Sequence, residues 1–317
     1  MTHFSFLTLI PAVRNYVWGG RAFADLLGAP PEVPVAEVWT VYENNLVAAG
    51  DLAAARTLAQ LVLEYPTEIL GARLAARGIT RFPLLVKLLD CARWLSLQVH
   101  PNDQQAAALE GPGFLGKTEA WYILAAQPDA QLIAGIKPGT SIEALHAAIG
   151  KQAILDLVEY HRVQTGDTIF MPAGAIHALG PGLLVYEVQQ TSDLTYRVFD
   201  WNRPQTEGRA LHIEKSIAVT DPQAARQIIR AEAANLQPAR SLVQSPYFHL
   251  EQLSGPQERH TRGESFHALT AIAGEAHLAT DSGELILRQF NSVLIPAACG
   301  AYRLEGEFKL LCSSIAD

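Results

Sequence analysis

The stretch from Gly166 to Arg203, GDTIFMPAGAIHALGPGLLVYEVQQTSDLTYRVFDWNR, most narrows what this chain can fold into. Gly166-Asp167 marks a turn and Thr168–Met171 a short strand. Pro172 and Gly174 punctuate that strand, and His177 follows. Two further strand-like runs, Leu183–Gln189 and Leu194–Trp201, carry Glu187 and Arg197 in apolar or aromatic surroundings. A titratable ring after a Pro-x-Gly turn, with a carboxylate and a guanidinium on the next strands, reads as part of a site.

The same strand–turn unit recurs. Val163–Ala173 (VQTGDTIFMPA) matches Leu287–Ala297 (LRQFNSVLIPA) in order and hydrophobicity. Such an echo implies two similar β-barrel halves. The second copy continues as Ala-Cys-Gly-Ala and has no histidine at the place of His177, so the chemistry is expected in the first copy alone.

The partners of His177 come from earlier strands. Leu95–His100 alternates strictly, which puts Ser96, Gln98 and His100 on one face and Leu95, Leu97 and Val99 on the other. After a glycine-rich loop, Lys117, Glu119 and Trp121 share a face in the same way. Gln98, His100, Glu119 and His177 are therefore the candidate metal ligands. Two imidazoles and a carboxylate suit zinc or another divalent first-row metal, with an amide oxygen or water completing the shell. Structural zinc sites usually close with cysteine, and Cys91, Cys299 and Cys312 lie outside the group, which favours an open, catalytic-type site. Taken singly, the same residues read more plainly. A histidine is more often a hydrogen-bonded structural residue, Glu119 a solvated strand residue, and Lys87 and Lys117 surface lysines. Glu187 could equally be a salt-bridge partner of Arg197. The ordered pattern lifts His100, Glu119 and His177 above these readings.

Elsewhere Glu37–Val41 and Phe82–Leu89 read as strands, and the N-terminal residues as a first strand rather than a signal peptide. Residues 51–80 read as two short helices divided near Pro66. Residues 141–160 form a helical interlude with Ser141 as N-cap, 211–233 look mostly helical, and 237–241 read as a linker. A net charge of -8 argues against general nucleic-acid binding, although a small anionic substrate needs only a local positive cluster. Three cysteines without CxxC spacing make a disulfide framework unlikely and favour a reducing compartment, with cytoplasmic location expected. No apolar run is long enough to span a bilayer.

Gly166, Pro172-x-Gly174 and His177 resemble the second motif of the cupin fold, and Gln98-Val-His100 with Glu119 resembles the first, with Gln in place of its first His. With their neighbours, the segments PLLVKLLD (83–90), LSLQVHPND (95–103), GKTEAWY (116–122), DLTYRVFDW (193–201) and LHIEK (211–215) resemble type I mannose-6-phosphate isomerases, most closely the short bacterial form. The resemblance implies a mainly β fold of two cupin-type (jelly-roll) β-barrel domains with a small helical region. The expected domains are a catalytic cupin over 1–240, with the helical insertions named above, and a degenerate cupin-like β-domain over 241–317. It implies one Zn2+ per chain on Gln98, His100, Glu119 and His177, and catalytic roles for Arg197, Lys117 and Glu187.

The implied reaction interconverts mannose 6-phosphate and fructose 6-phosphate through an enediol, with a small-molecule sugar phosphate as the only partner expected. Nucleic acid and membrane are not expected partners, and a monomer and a homodimer both remain open. Around Trp39 the chain departs from the family pattern, reading Ala36-Glu37-Val38-Trp39-Thr40 where a Gly-Glu-x-Trp is followed by a serine. A preference for unphosphorylated sugars is therefore an alternative. A non-catalytic, metal-containing cupin that binds a sugar phosphate is another, and a metal-dependent dioxygenase a third.

Overall fold

Short antiparallel strands build most of the architecture, some alternating in burial and others, such as Glu37–Val41 and Leu84–Cys91, buried along their whole length. The protein was analysed as a computed structural model, which describes residues 4–24, 27, 30, 32–48, 56–204, 209–224, 226–231 and 237–315. The chain is mainly β and divides into two compact units. One, the terminal unit, gathers Met1–Ala12, Val38–Leu88 and Glu232–Asp317; the other, the central unit, is made of Val13–Glu37 and Leu89–Ala231.

The central unit holds two antiparallel sheets. In one, the strands Leu183–Gln190, Glu119–Ala126, Thr168–Met171 and Gln227–Ile229 lie side by side in that order. In the other the order is Tyr196–Phe199, Leu97–Val99, His177–Leu179, Gln131–Ile136 and Val158–Arg162. Leu89, Trp121, Ile123, Ile169, Leu179 and Val185 pack one core cluster, and Leu97, Val99, Ile133, Ile176 and Val198 another. The chosen face of Leu95–His100 is as read from the alternation: Leu97 and Val99 are core, while Gln98 points the other way. That second face is enclosed rather than wet, since Ser96 and His100 are also buried.

In the terminal unit six strands run in the order Ala239–Gln244, His249–Ser254, Phe308–Ser314, His267–Thr280, Ala301–Glu305 and Gln257–His260. Gly283–Arg288 and Ser292–Ile295 pair with the long His267–Thr280 strand. Short helices Leu58–Glu64, Pro66–Leu70 and Ala72–Ala76 belong to the same unit. Thr57 caps the first in a reciprocal box with Gln60, and Pro66 opens the second at the position where its missing N–H costs least. Gly71 approaches the backbone of Glu264 so closely that a Cβ would lie 2.1 Å from its carbonyl oxygen, and the Phe82 and Phe266 rings meet at 4.5 Å.

Several expectations need correction. The N-terminal residues make only bridges, Leu7 with Leu294 and Leu9 with Val47, before a strand at Ala12–Arg14. The expected helix pair at 51–80 is three helices, and residues 51–55 lie outside the described residues. Residues 141–160 hold helix Ile142–Ala148 and a 3-10 turn, Gln152–Asp156, but pass into strand at Val158. Of 211–233, only Ile213–Val219 is helical; Gln227–Ile229 is a strand paired with Thr168–Phe170. An open sheet edge that can use the backbone groups of Gln227–Ile229 outweighs the Ala-rich helical pattern there. The linker expected at 237–241 is already strand from Ala239. Lys87 is buried, 5.1 Å from the Trp39 ring. The thiols of Cys91, Cys299 and Cys312 are free, and no helix among the described residues is long and apolar enough to cross a membrane.

Candidate metal centre

Strand register gathers the site. Gln98 lies opposite His177 in one ladder and opposite Arg197 in the next, so these three side chains share a face across neighbouring strands. In the other sheet Glu119 lies opposite Gln189, and Trp121 opposite Glu187, on one face two residues apart.

The turn that delivers His177 depends on Gly174. Its φ of +87° is in the left-handed region, its N–H donates to the His100 carbonyl at 2.8 Å, and a Cβ there would meet Asp221 Cβ at 3.1 Å. One backbone bond thus ties the His177 turn to the other histidine. Lys117 and Glu119 are delivered by a second tight approach. Asn102 caps helix Asp103–Glu110 in a box with Gln105, and Asp103 Oδ1 accepts from Gly116 N at 2.8 Å and Gln190 Nε2 at 2.9 Å. A Cβ on Gly116 would lie 2.5 Å from the Asn102 carbonyl carbon, so only glycine permits this crossing.

His100, Glu119 and His177 are all buried, and one candidate ligand atom from each lies within 4.8 Å of the others. His100 Nδ1 is 2.8 Å from the Leu194 carbonyl and His177 Nδ1 is 2.9 Å from the Ala175 carbonyl. A carbonyl only accepts, so each Nδ1 carries a proton and Nε2 is the nitrogen left to ligate. The two Nε2 atoms face a carboxylate: His177 Nε2 is 3.2 Å from Glu119 Oε1, and His100 Nε2 is 3.6 Å from Glu119 Oε2. His100 Nε2 and both Glu119 oxygens are buried without a hydrogen-bond partner. Acceptors converging on acceptors are costly unless a cation sits among them. Donors around a tetrahedral zinc at about 2.0–2.1 Å stand roughly 3.3 Å apart, close to the two His–Glu separations of 3.2 and 3.6 Å. The residues present therefore fit a metal ion. The Gln98 amide reaches His177 Nε2 at 3.3 Å, and rotating it about its last torsion presents its oxygen instead.

Lys117 Nζ lies 2.9 Å from Glu119 Oε2, close enough for ion pairing though not aligned as a hydrogen bond, and both are buried. Burial opposes ionisation of Glu119, but its charged surroundings, Lys117 foremost, outweigh it and hold the carboxyl well below its usual range. Burial, then Lys117, pushes the His100 imidazole well below its ordinary pKa, so it stays neutral and can ligate. Neither Lys117 nor Glu119 is the exposed strand residue that each suggests alone. Trp121 meets the His177 ring edge to face at 5.3 Å and donates from Nε1 to Glu187 Oε2 at 2.9 Å. Arg197 shares the row of Gln98 and His177, and its Nη1 donates to the Ala210 carbonyl at 3.0 Å. Burial, then Arg209, lowers its pKa, yet a guanidinium remains charged.

Residues 6–123 match the catalytic domain of type I phosphomannose isomerase, and residues 239–315 the cupin domain of mannose-6-phosphate isomerase. Mannose-6-phosphate isomerase ManA of Bacillus subtilis is 34% identical over 96% of this chain and 97% of its own length. The chain belongs to the type I phosphomannose isomerase family. The mannose-6-phosphate isomerase of Streptococcus mutans is 31% identical, over 97% of each chain. The crystal structure of the Bacillus subtilis mannose 6-phosphate isomerase superposes with a TM-score of 0.85 at 30% identity, covering 98% of this chain and 99% of that one.

Two residues that brace the strands around this group were not singled out from sequence. Gln189, fully buried opposite Glu119, and Gln190, which accepts from Thr118 N at 2.9 Å, are missed because a Gln-Gln pair on a strand carries no motif. The available signal was alternation, since Glu187 and Gln189 stand two apart in an apolar run. Gly174→Ala is expected to lower stability by about 1–3 kcal/mol, the cost of a forced left-handed residue, and to weaken metal retention. Denaturant unfolding and competition with a chromophoric chelator measure the two effects.

Proposed function

We propose that the chain interconverts mannose 6-phosphate and fructose 6-phosphate through a cis-enediol, with one zinc ion held by Gln98, His100, Glu119 and His177. The observation that carries this reading is the pair of imidazoles, each held at Nδ1 by a backbone carbonyl, whose Nε2 atoms converge on a buried carboxylate. Family membership supplies the substrate class. Bound there, zinc supplies a Lewis acid that needs no proton of its own.

The remaining steps fall to the chain. Lys117 and Arg197 supply positive charge that offsets the substrate's phosphate and the negative charge developing on O1 and O2. Glu187 carries the proton: it removes hydrogen from C2 of the aldose, leaving the enediol, and returns a proton to C1 while the O2 proton departs and O1 gains one. Trp121 Nε1 holds one Glu187 oxygen in place for this transfer. The free thiols suit a reducing compartment, and we place the reaction in the cytoplasm.

Chelation tests the reading. Complete metal removal should abolish mannose 6-phosphate turnover, and stoichiometric zinc should restore it. Activity that survives in metal-free protein sinks the ligand assignment. A zinc-loaded protein that binds the sugar phosphate without turnover leaves the non-catalytic cupin instead.

A further inference from the structure

The second barrel carries a site of its own. Along the strands of the terminal unit, each inward row supplies an apolar residue to the core and, two positions toward one end, a polar one. Leu253, Leu269, Leu304 and Leu310 are core. Glu251, His267, Tyr302 and Cys312 stand two residues from them and therefore on the same inward face. Arg259 comes from the neighbouring strand, directly opposite Tyr302. Glu251, Arg259, His267 and Tyr302 form the floor of a cavity of about 850 Å3.

The floor is a connected network. Arg259 Nη2 donates to Glu251 Oε2 at 2.7 Å, and His267 Nδ1 lies 2.7 Å from the Tyr302 hydroxyl. The ion pair keeps 20% and 17% of its side-chain surface exposed, so both members remain reachable from the cavity. Burial, then Arg259, brings the His267 pKa down to about 4, so the ring is neutral at physiological pH. Charges of both signs line the cavity. Arg262 and Arg303 stand among Glu258, Glu264 and Asp281, with one acid in excess. A phosphate or carboxylate would meet the acids, and a cation would meet the arginines. Among the described residues, the metal-type group of three is found at His100, Glu119 and His177, not here.

What fits closely interleaved donors and acceptors of both signs is a ligand in which every polar group is both. A hydroxyl is such a group. The volume lies within the range of small-molecule sites, and barrel mouths are a recurrent place for them. We propose that this cavity is a second binding site, separate from the metal centre, for an uncharged polyhydroxylated molecule of the mono- or disaccharide class.

Calorimetric titration of the full-length, zinc-loaded protein with D-mannose, D-glucose and trehalose tests this, with inorganic phosphate and citrate as charged comparators. Two variants locate the binding. Ala301→Trp fills the mouth from an exposed position, and Tyr302→Phe removes one hydroxyl from the floor. At least one neutral sugar should bind, and both variants should weaken it tenfold or more while mannose 6-phosphate turnover stays at the parent level. If Tyr302→Phe does not fold, Ala301→Trp alone decides. The proposal is overturned if none of the neutral sugars binds, if Ala301→Trp leaves their binding unchanged, or if phosphate or citrate is the ligand that Ala301→Trp excludes.

Discussion

Glu119→Gln is expected to strip the protein of its metal and to cut mannose 6-phosphate turnover by roughly a thousandfold or more. The Lewis-acid contribution at risk is several kcal/mol, and each 1.36 kcal/mol is a factor of ten in rate. Glu119 carries the negative charge among the proposed ligands, and an amide oxygen is a poor substitute for it. The same change has a second consequence. Lys117 Nζ lies 2.9 Å from Glu119 Oε2 and both side chains are buried. Removing the carboxylate leaves a buried ammonium without its counter-ion, which costs about 3–5 kcal/mol. The two effects separate in the double variant Glu119→Gln with Lys117→Met. It should regain most of the stability, because replacing both members of a buried pair is close to neutral, and should still bind no metal. Elemental analysis, steady-state kinetics and denaturant unfolding read the three quantities. Full metal content with normal turnover in Glu119→Gln would falsify the assignment.

Glu187→Gln should act on the chemistry alone. The Trp121 indole can still donate to the amide oxygen, so the local packing survives. A positioned proton carrier is worth about 10²–10⁴ in rate. The expected variant keeps its zinc and its KM and loses kcat by that factor, and exchange of the C2 hydrogen with deuterated solvent slows in parallel. An unchanged kcat removes Glu187 from the proton transfer. Loss of zinc in this variant would instead make it a structural support of the metal cradle.

What the sequence made legible follows from geometry. Residues two apart on a strand share a face, so Gln98 with His100, and Lys117 with Glu119 and Trp121, could be paired before any coordinates. The Pro172-x-Gly174 turn announced itself because few residues other than glycine tolerate its backbone. The grouping across strands was not legible from spacing, since register decides it: Gln98 meets His177 and Arg197 because three separate strands align there. Lys87 reads by default as a surface lysine because charge usually marks exposure, yet it is buried with its Nζ 5.1 Å from the Trp39 ring. Lys117, expected in the site, is enclosed beside the Glu119 carboxylate. Gln227–Ile229 was taken for helix because composition describes an isolated segment, whereas the free edge of Thr168–Met171 was waiting for a partner. The brace of Asp103 to Gly116 and Gln190 spans distant positions and leaves no local pattern at all.

The carbonyls of Leu194 and Ala175 that hold the two imidazoles make the cradle independent of its cargo. Small zinc domains fold only around the ion, so that the ion selects the fold. Here the nitrogen and oxygen donors are held by strands, turns and backbone carbonyls, so the proposed ion would meet ligands that the chain itself positions. A socket of two nitrogens and a carboxylate ranks the first-row divalent metals by the ordinary order of complex stability and little else. On that proposal the supply of metals in the cell would weigh as much as the protein in choosing the occupant, and the same polypeptide grown under different metal regimes would be expected to carry different ions.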